Sequence, residues 1–197
     1  MIKEEKIKKY LKIPVKIRGD AIKTDFTYIQ RHEGSEALKK LCKKIKEFDN
    51  SFDYKKIKKT EWVPAGWKII LMQLGREMFG WEDKDIINMG YEEPTSSFLI
   101  KTSLKYFISI EKNFKEIPKH WFKYWSQGDF IPYKLSIKEK KAIVKLKKFK
   151  VHPDICLYIL GLIRSFSELI LNQKGVEVEE SKCVFNGDSF HEFIIKW

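Results

Sequence analysis

The chain has 197 residues, 43% of them apolar and including 14 Phe, 8 Tyr and 6 Trp, which is ample for one packed core. Thirty-nine basic against 27 acidic residues give a formal net charge of +12. Three widely spaced cysteines exclude a disulfide framework, no run approaches the ~18 apolar residues of a membrane span, and solenoid repeats are absent. The expectation is a single domain over 1–197, and the charged N-terminus, without the apolar stretch of a signal peptide, makes the cytoplasm its expected location.

Glu4 to Lys12 places Ile7, Tyr10 and Leu11 at helical spacing among lysines, and Pro14 interrupts this amphipathic helix. Val15-Lys16-Ile17 is extended, and Arg18-Gly19-Asp20 opens a second helix with Ile22, Phe26 and Ile29 along one side. Ser35 is expected to cap a third helix, Glu36 to Phe48, with Leu38, Leu41, Cys42 and Ile45 as its apolar face. Trp67 to Phe79 carries a broad stripe of Trp67, Ile70, Leu71, Leu74 and Met78 and is closed by Gly80. A short helix from Trp81 to Met89, ended by Gly90, precedes a long one from Pro94-Thr95-Ser96 to about Phe114, with Leu99, Ile100, Leu104, Phe107 and Ile108 on its core face.

Pro118 is expected to open a further helix on which His120, Trp121, Tyr124 and Trp125 cluster as core. Tyr133 to Lys138 alternates as a half-buried strand, with Ala142 to Phe149 as its partner. Pro153 then stands at a first helical position, Asp154 complements the helix dipole, and an apolar run from Ile155 marks a long buried helix, with Gly175 placed to stop it. Val176 to Phe185 and Ser189 to Trp197 are strand-like and joined across Asn186-Gly187-Asp188, a hairpin signal. Helices first and strands late indicate an α+β fold, a helical N-terminal part packed on an antiparallel sheet with a long buried helix and a C-terminal β-hairpin.

Register decides what chemistry the hairpin can offer. A three-residue loop closed by Phe185 and Ser189 opposes Cys183 to His191, about 5 Å apart at Cβ and able to share a metal ion, whereas a two-residue loop opposes Cys183 to Phe190.

The tail from His152 onward resembles the end of the 4-vinyl reductase domain family, in a superfamily shared with haem nitric-oxide-binding domains and TRAPP vesicle-tethering subunits. The features that carry the resemblance are a cysteine near the start of the last long helix, the mid-helix Gly161, and Cys183-x3-Gly187-Asp188-x2-His191-Glu192-Phe193. A weaker likeness extends to Arg18-Gly19-Asp20 and to Gly34-Ser35-Glu36-Ala37-Leu38. The resemblance implies a structural zinc held by Cys156, Glu180, Cys183 and His191, where family members often have cysteine at the last position and histidine keeps a zinc-competent donor. In a regular strand Glu179, not Glu180, shares the face of Cys183, so Glu180 needs a bulge and Glu179 is its rival. Without metal, Cys156 is an ordinary buried cysteine.

The resemblance further implies a small apolar or aromatic ligand in an interior pocket, ligand sensing or carriage, and homodimers joined through N-terminal helices. Trp67, Phe107, Trp121 and Trp125 are the candidate pocket walls, being large and on apolar faces. Haem is disfavoured, because no histidine lies between His32 and His120 and Tyr124-Trp125-Ser126-Gln127-Gly128 lacks the arginine of the haem-propionate motif. The rival readings are a TRAPP-like tethering module without ligand and a basic nucleic-acid-binding regulator, the latter from eight lysines against one acid between Lys134 and Lys150. No nucleophile elbow, P-loop or dinucleotide fingerprint is present, and the expectation is a protein that is not an enzyme.

Overall fold

The computed structural model describes residues 3–96 and 109–197; the core face expected over 99–108 lies outside them. The N-terminal part is helical: α1 (Glu4–Leu11), α2 (Gly19–His32), α3 (Ser35–Phe48) and α4 (Ala65–Phe79), with a two-stranded antiparallel ribbon of β1 (Lys16–Arg18) and β2 (Trp62–Pro64). Then come α5 (Asp83–Ser96), α6 (Ile110–Tyr124), a hairpin of β3 (Asp129–Ser136) and β4 (Lys141–Lys147), α7 (Pro153–Leu171), and the final strands β5 (Glu177–Lys182) and β6 (His191–Lys196). The larger sheet is antiparallel throughout in the order β3-β4-β6-β5, so the fold is α+β as expected. Among the described residues no helix is long and apolar enough to cross a membrane.

Several boundaries differ from the expectation for local reasons. Gly34, with φ of +87°, takes the cap position before α3 and Ser35 becomes its first residue, accepting from the Gln30 side chain instead. Helix α5 runs straight through Gly90, because a side chain there would overlap the Tyr158 carbonyl of α7; the glycine serves packing, not termination. Gly161 is its counterpart, since a Cβ at that position would overlap the Ile87 carbonyl of α5. The two helices therefore cross with their backbones in contact. Pro118 lies inside α6 and does not open it; the helix starts from Ser109, whose hydroxyl accepts from the Lys112 amide. Helix α7 starts at Pro153 as expected, but Asn172, left-handed at φ of 48°, ends it before Gly175.

The two halves of the molecule are stitched by backbone. Ile17 bridges to Trp125, the Ser126 amide donates to the Lys16 carbonyl (3.0 Å), and the Lys16 amide donates to the Ser126 hydroxyl (2.8 Å). A bulge at Pro132/Lys134 turns Tyr133 outward, 59% exposed, where it lies under the Lys145 ammonium at 3.2 Å.

Candidate functional site

The final hairpin follows the register that opposes Cys183 to His191. Lys182 pairs with Glu192, and continuing that alignment by one residue sets Cys183 against His191. The connection is longer than three residues, however. A 3-10 turn at Val184–Asn186 follows Cys183, whose carbonyl accepts from the Asn186 and Asp188 amides while its own amide donates to the Asp188 carboxylate (2.9 Å). Between Glu180 and Lys182 the register shifts by one, a bulge that turns Glu180 toward the cysteine face and leaves Glu179 exposed.

Four donor groups meet as a result. Cys156, one turn into α7, places its sulfur 3.9 Å from that of Cys183 and 3.7 Å from Nδ1 of His191. Glu180 Oε1 lies 2.8 Å from the same Nδ1, and one donor atom from each of the four residues lies within 4.8 Å of every other. Cys156, Cys183 and His191 are buried, and Glu180 is half-buried. Such a group could hold a metal ion. The other imidazole nitrogen, Nε2, is 2.8 Å from the Phe149 carbonyl. A carbonyl only accepts, so Nε2 carries a hydrogen and Nδ1 is turned into the cluster. Burial first, then the Glu180 carboxylate, push the Cys156 thiol well above its usual range; burial also raises Cys183.

An apolar cavity of about 130 Å³ lies farther along the same helix. Ile159 and Ile163 of α7 face Trp121 and Trp125 of the α6 end, whose rings stack at 5.5 Å, with Phe130 of β3 beside them. Of the four expected pocket walls, Trp121 and Trp125 line this cavity. Trp67 does not: its indole donates to Asp49 (2.8 Å) beside a separate surface depression near Lys46 and Pro64. Phe107 lies outside the described residues.

His120, expected as plain core, is half-buried and lines the cavity too; burial, then Lys123, lowers its pKa. Sequence reasoning missed two charged residues. Lys68 is wholly buried and pairs with both oxygens of Asp25 (2.7 and 2.8 Å), its ammonium 3.6 Å above the Tyr158 ring. Glu93 is 4% exposed and faces the cavity. The signal for Lys68 was a lone lysine in a helix apolar all round; Glu93 gave none, since its helix was expected to have ended.

No protein-family model matches the chain, and no curated protein matches its sequence. The fold does have solved counterparts. An H-NOX protein from S. oneidensis in the Fe(II)NO ligation state superposes with a TM-score of 0.70 over 91% of this chain and 98% of that one, at 10% identity. A structure bearing on the molecular mechanism of H-NOX activation gives 0.67 at 14% identity, covering 91% and 95%. A Cs H-NOX mutant carrying 4-cyano-L-phenylalanine gives 0.68 at 14% identity, again over 91% and 95%. The chain thus has an H-NOX-like fold.

Proposed function

We propose that this chain is a non-catalytic domain of the 4-vinyl reductase type that binds a small apolar or aromatic ligand for sensing or carriage. In this reading zinc bound by Cys156, Glu180, Cys183 and His191 clamps the last helix to the final hairpin. The observation that carries the metal is the convergence of four donor groups, one atom from each of Cys156, Glu180, Cys183 and His191 lying within 4.8 Å of every other, with Nε2 of His191 committed to the Phe149 carbonyl so that Nδ1 faces the cluster. Zinc bonds of about 2.3 Å to sulfur and about 2.0–2.1 Å to nitrogen, at tetrahedral angles, put two sulfurs about 3.8 Å apart and sulfur and nitrogen about 3.6 Å apart. The sulfur–sulfur and sulfur–nitrogen spacings here are 3.9 and 3.7 Å, while Nδ1 and Glu180 Oε1, at 2.8 Å, are closer than the about 3.3 Å of two tetrahedral zinc ligands and would part on binding. Four protein ligands leave no open position, which suits a structural role.

The clamp and the cavity share α7: Cys156 belongs to the cluster, and Ile159, one turn on, lines the cavity. Ligand occupancy would therefore be felt by the helix that the metal fixes. The size of the cavity weighs against haem, the group whose distortion was probed in the H-NOX family. About 130 Å³ is the scale of a single ring, since a cavity of roughly 150 Å³ holds benzene. Ser126, in the segment that lacks the propionate arginine, is spent on Lys16. The cavity also weighs against a tethering module filled by its own side chains. The nucleic-acid reading is weakened by lysines already engaged: Lys145 with Glu192 and Tyr133, Lys148 with Asp129.

The test is elemental analysis with native mass spectrometry. Purified protein is expected to carry about one zinc per chain as a homodimer, and Cys183→Ser and His191→Ala are expected to lose it. Equal, negligible zinc in all three would remove the clamp.

A further inference from the structure

Two glutamates are buried where α5 meets α7, and their surroundings are opposite. Glu168 accepts from the Tyr91 hydroxyl (2.6 Å) and the Gly175 amide (3.0 Å) and pairs with Lys174 (3.1 Å). Against the opposing effect of burial, these partners hold it down to about 2. Glu93 is just as buried but has no hydrogen-bond partner among the described residues. The base in its field, Lys68, is committed to both oxygens of Asp25. Burial lifts Glu93 to about 8, Lys68 opposing, with Asp25 and Asp20 adding to the rise. A buried carboxyl left without a partner costs stability, and a ligand that supplies the partner recovers it.

The rest of the cavity narrows what that ligand is. The volume is that of one ring, and among the described residues the wall is apolar apart from Glu93, Asn113, His120, Tyr124 and Ser167. Trp121 and Trp125 line it with aromatic rings, stacked on each other and, for Trp121, on Phe130, a wall suited to holding a further ring. The largest charge in the field at Glu93 is the Lys68 ammonium, which Asp25 pairs, so among the described residues a ligand cation meets no unpaired like charge there. We propose that the cavity recognises a small aromatic amine, its ring held by Trp121 and Trp125 and its ammonium received by the Glu93 carboxylate. This rests on reading the cavity as a ligand site.

Charge balance gives the proposal a second signature. At neutral pH Glu93 is largely protonated, so receiving an ammonium sends the Glu93 proton to solvent while the amine keeps its own. His120, also on the cavity wall, has a lowered pKa and stays neutral there. Lys68 and Asp25 remain paired throughout. Binding should release a proton at pH 7 and tighten as pH rises toward 8.

Calorimetric titration of the full chain with benzylamine, benzyl alcohol and toluene tests this. Benzylamine is expected to bind roughly tenfold or more tighter than benzyl alcohol, with proton release seen as a dependence of the heat on buffer. Glu93→Gln should cut benzylamine affinity by roughly tenfold or more and leave toluene within about a factor of three, toluene binding also reporting that the variant's cavity is intact. Toluene binding with no preference for the amine, or an amine preference that survives Glu93→Gln, overturns the role of Glu93 and keeps the cavity as a ligand site. Failure of all three probes to bind overturns both.

Discussion

Single buried side chains give this molecule its pH dependence. A carboxyl whose folded pKa exceeds its unfolded value takes up a proton on folding, so stability falls as pH rises between the two values. For Glu93 that window runs from 4.5 to about 8, and for Asp25 from 3.8 to about 6, burial being the leading cause in both. Each group contributes a slope of up to about 1.4 kcal/mol per pH unit. Thermal melts of the ligand-free protein should show Tm falling from pH 5 to 8, and Glu93→Gln should flatten the part between 6 and 8; a variant that melts in parallel with the parent excludes the shift. The metal cluster was legible in the sequence because its spacing, Glu-x2-Cys then eight residues to histidine, survives in a resemblance. Glu93 was not, because Gly90 reads as a stop and everything up to Pro94 then reads as solvated turn. Nor was Phe149, which contributes only a carbonyl, a group every residue has.

Among elements, the crossing of α5 and α7 is the most exacting contact. With Gly90 against the Tyr158 carbonyl and Gly161 against that of Ile87, an added methyl has no flexible neighbour to displace. Gly161→Ala should destabilise by about 1–3 kcal/mol or more, measured by urea unfolding, and should pry α7 away from the cavity. Helices were found from their apolar spacing, and some ends with them, Gly80 after α4 and Pro153 at the start of α7; but Gly90, Pro118 and Gly175 also look like punctuation, and in each case tertiary contact or a neighbouring residue decided otherwise. The hairpin shows the same division. The residues allowed two registers, of which the structure has the one opposing Cys183 to His191, and the 3-10 turn at Val184–Asn186 is accompanied by the Asp188 carboxylate reaching back to the Cys183 amide.

At the scale of the whole molecule, the buried Lys68–Asp25 pair and the Cys156, Glu180, Cys183 and His191 cluster stand where apolar packing stands elsewhere. Lys68→Met should cost roughly 3–5 kcal/mol by stranding Asp25, and the double variant Lys68→Met/Asp25→Leu should recover most of it, as read from paired denaturation curves. Chelation should lower Tm by an amount that grows with the logarithm of free zinc before treatment. That helices precede strands was evident from the sequence, and so was the α+β class. The order β3-β4-β6-β5 and the β1–β2 ribbon were not, because such pairings join segments far apart in the chain and leave no local trace. One of these long-range joins has a use. Trp125 is at once a wall of the cavity and, through its bridge to Ile17, a backbone neighbour of the first strand. If the cavity takes a guest as proposed, the amide protons of Lys16 and Ser126, 110 residues apart, should become a matched pair of clocks whose deuterium uptake slows together on binding.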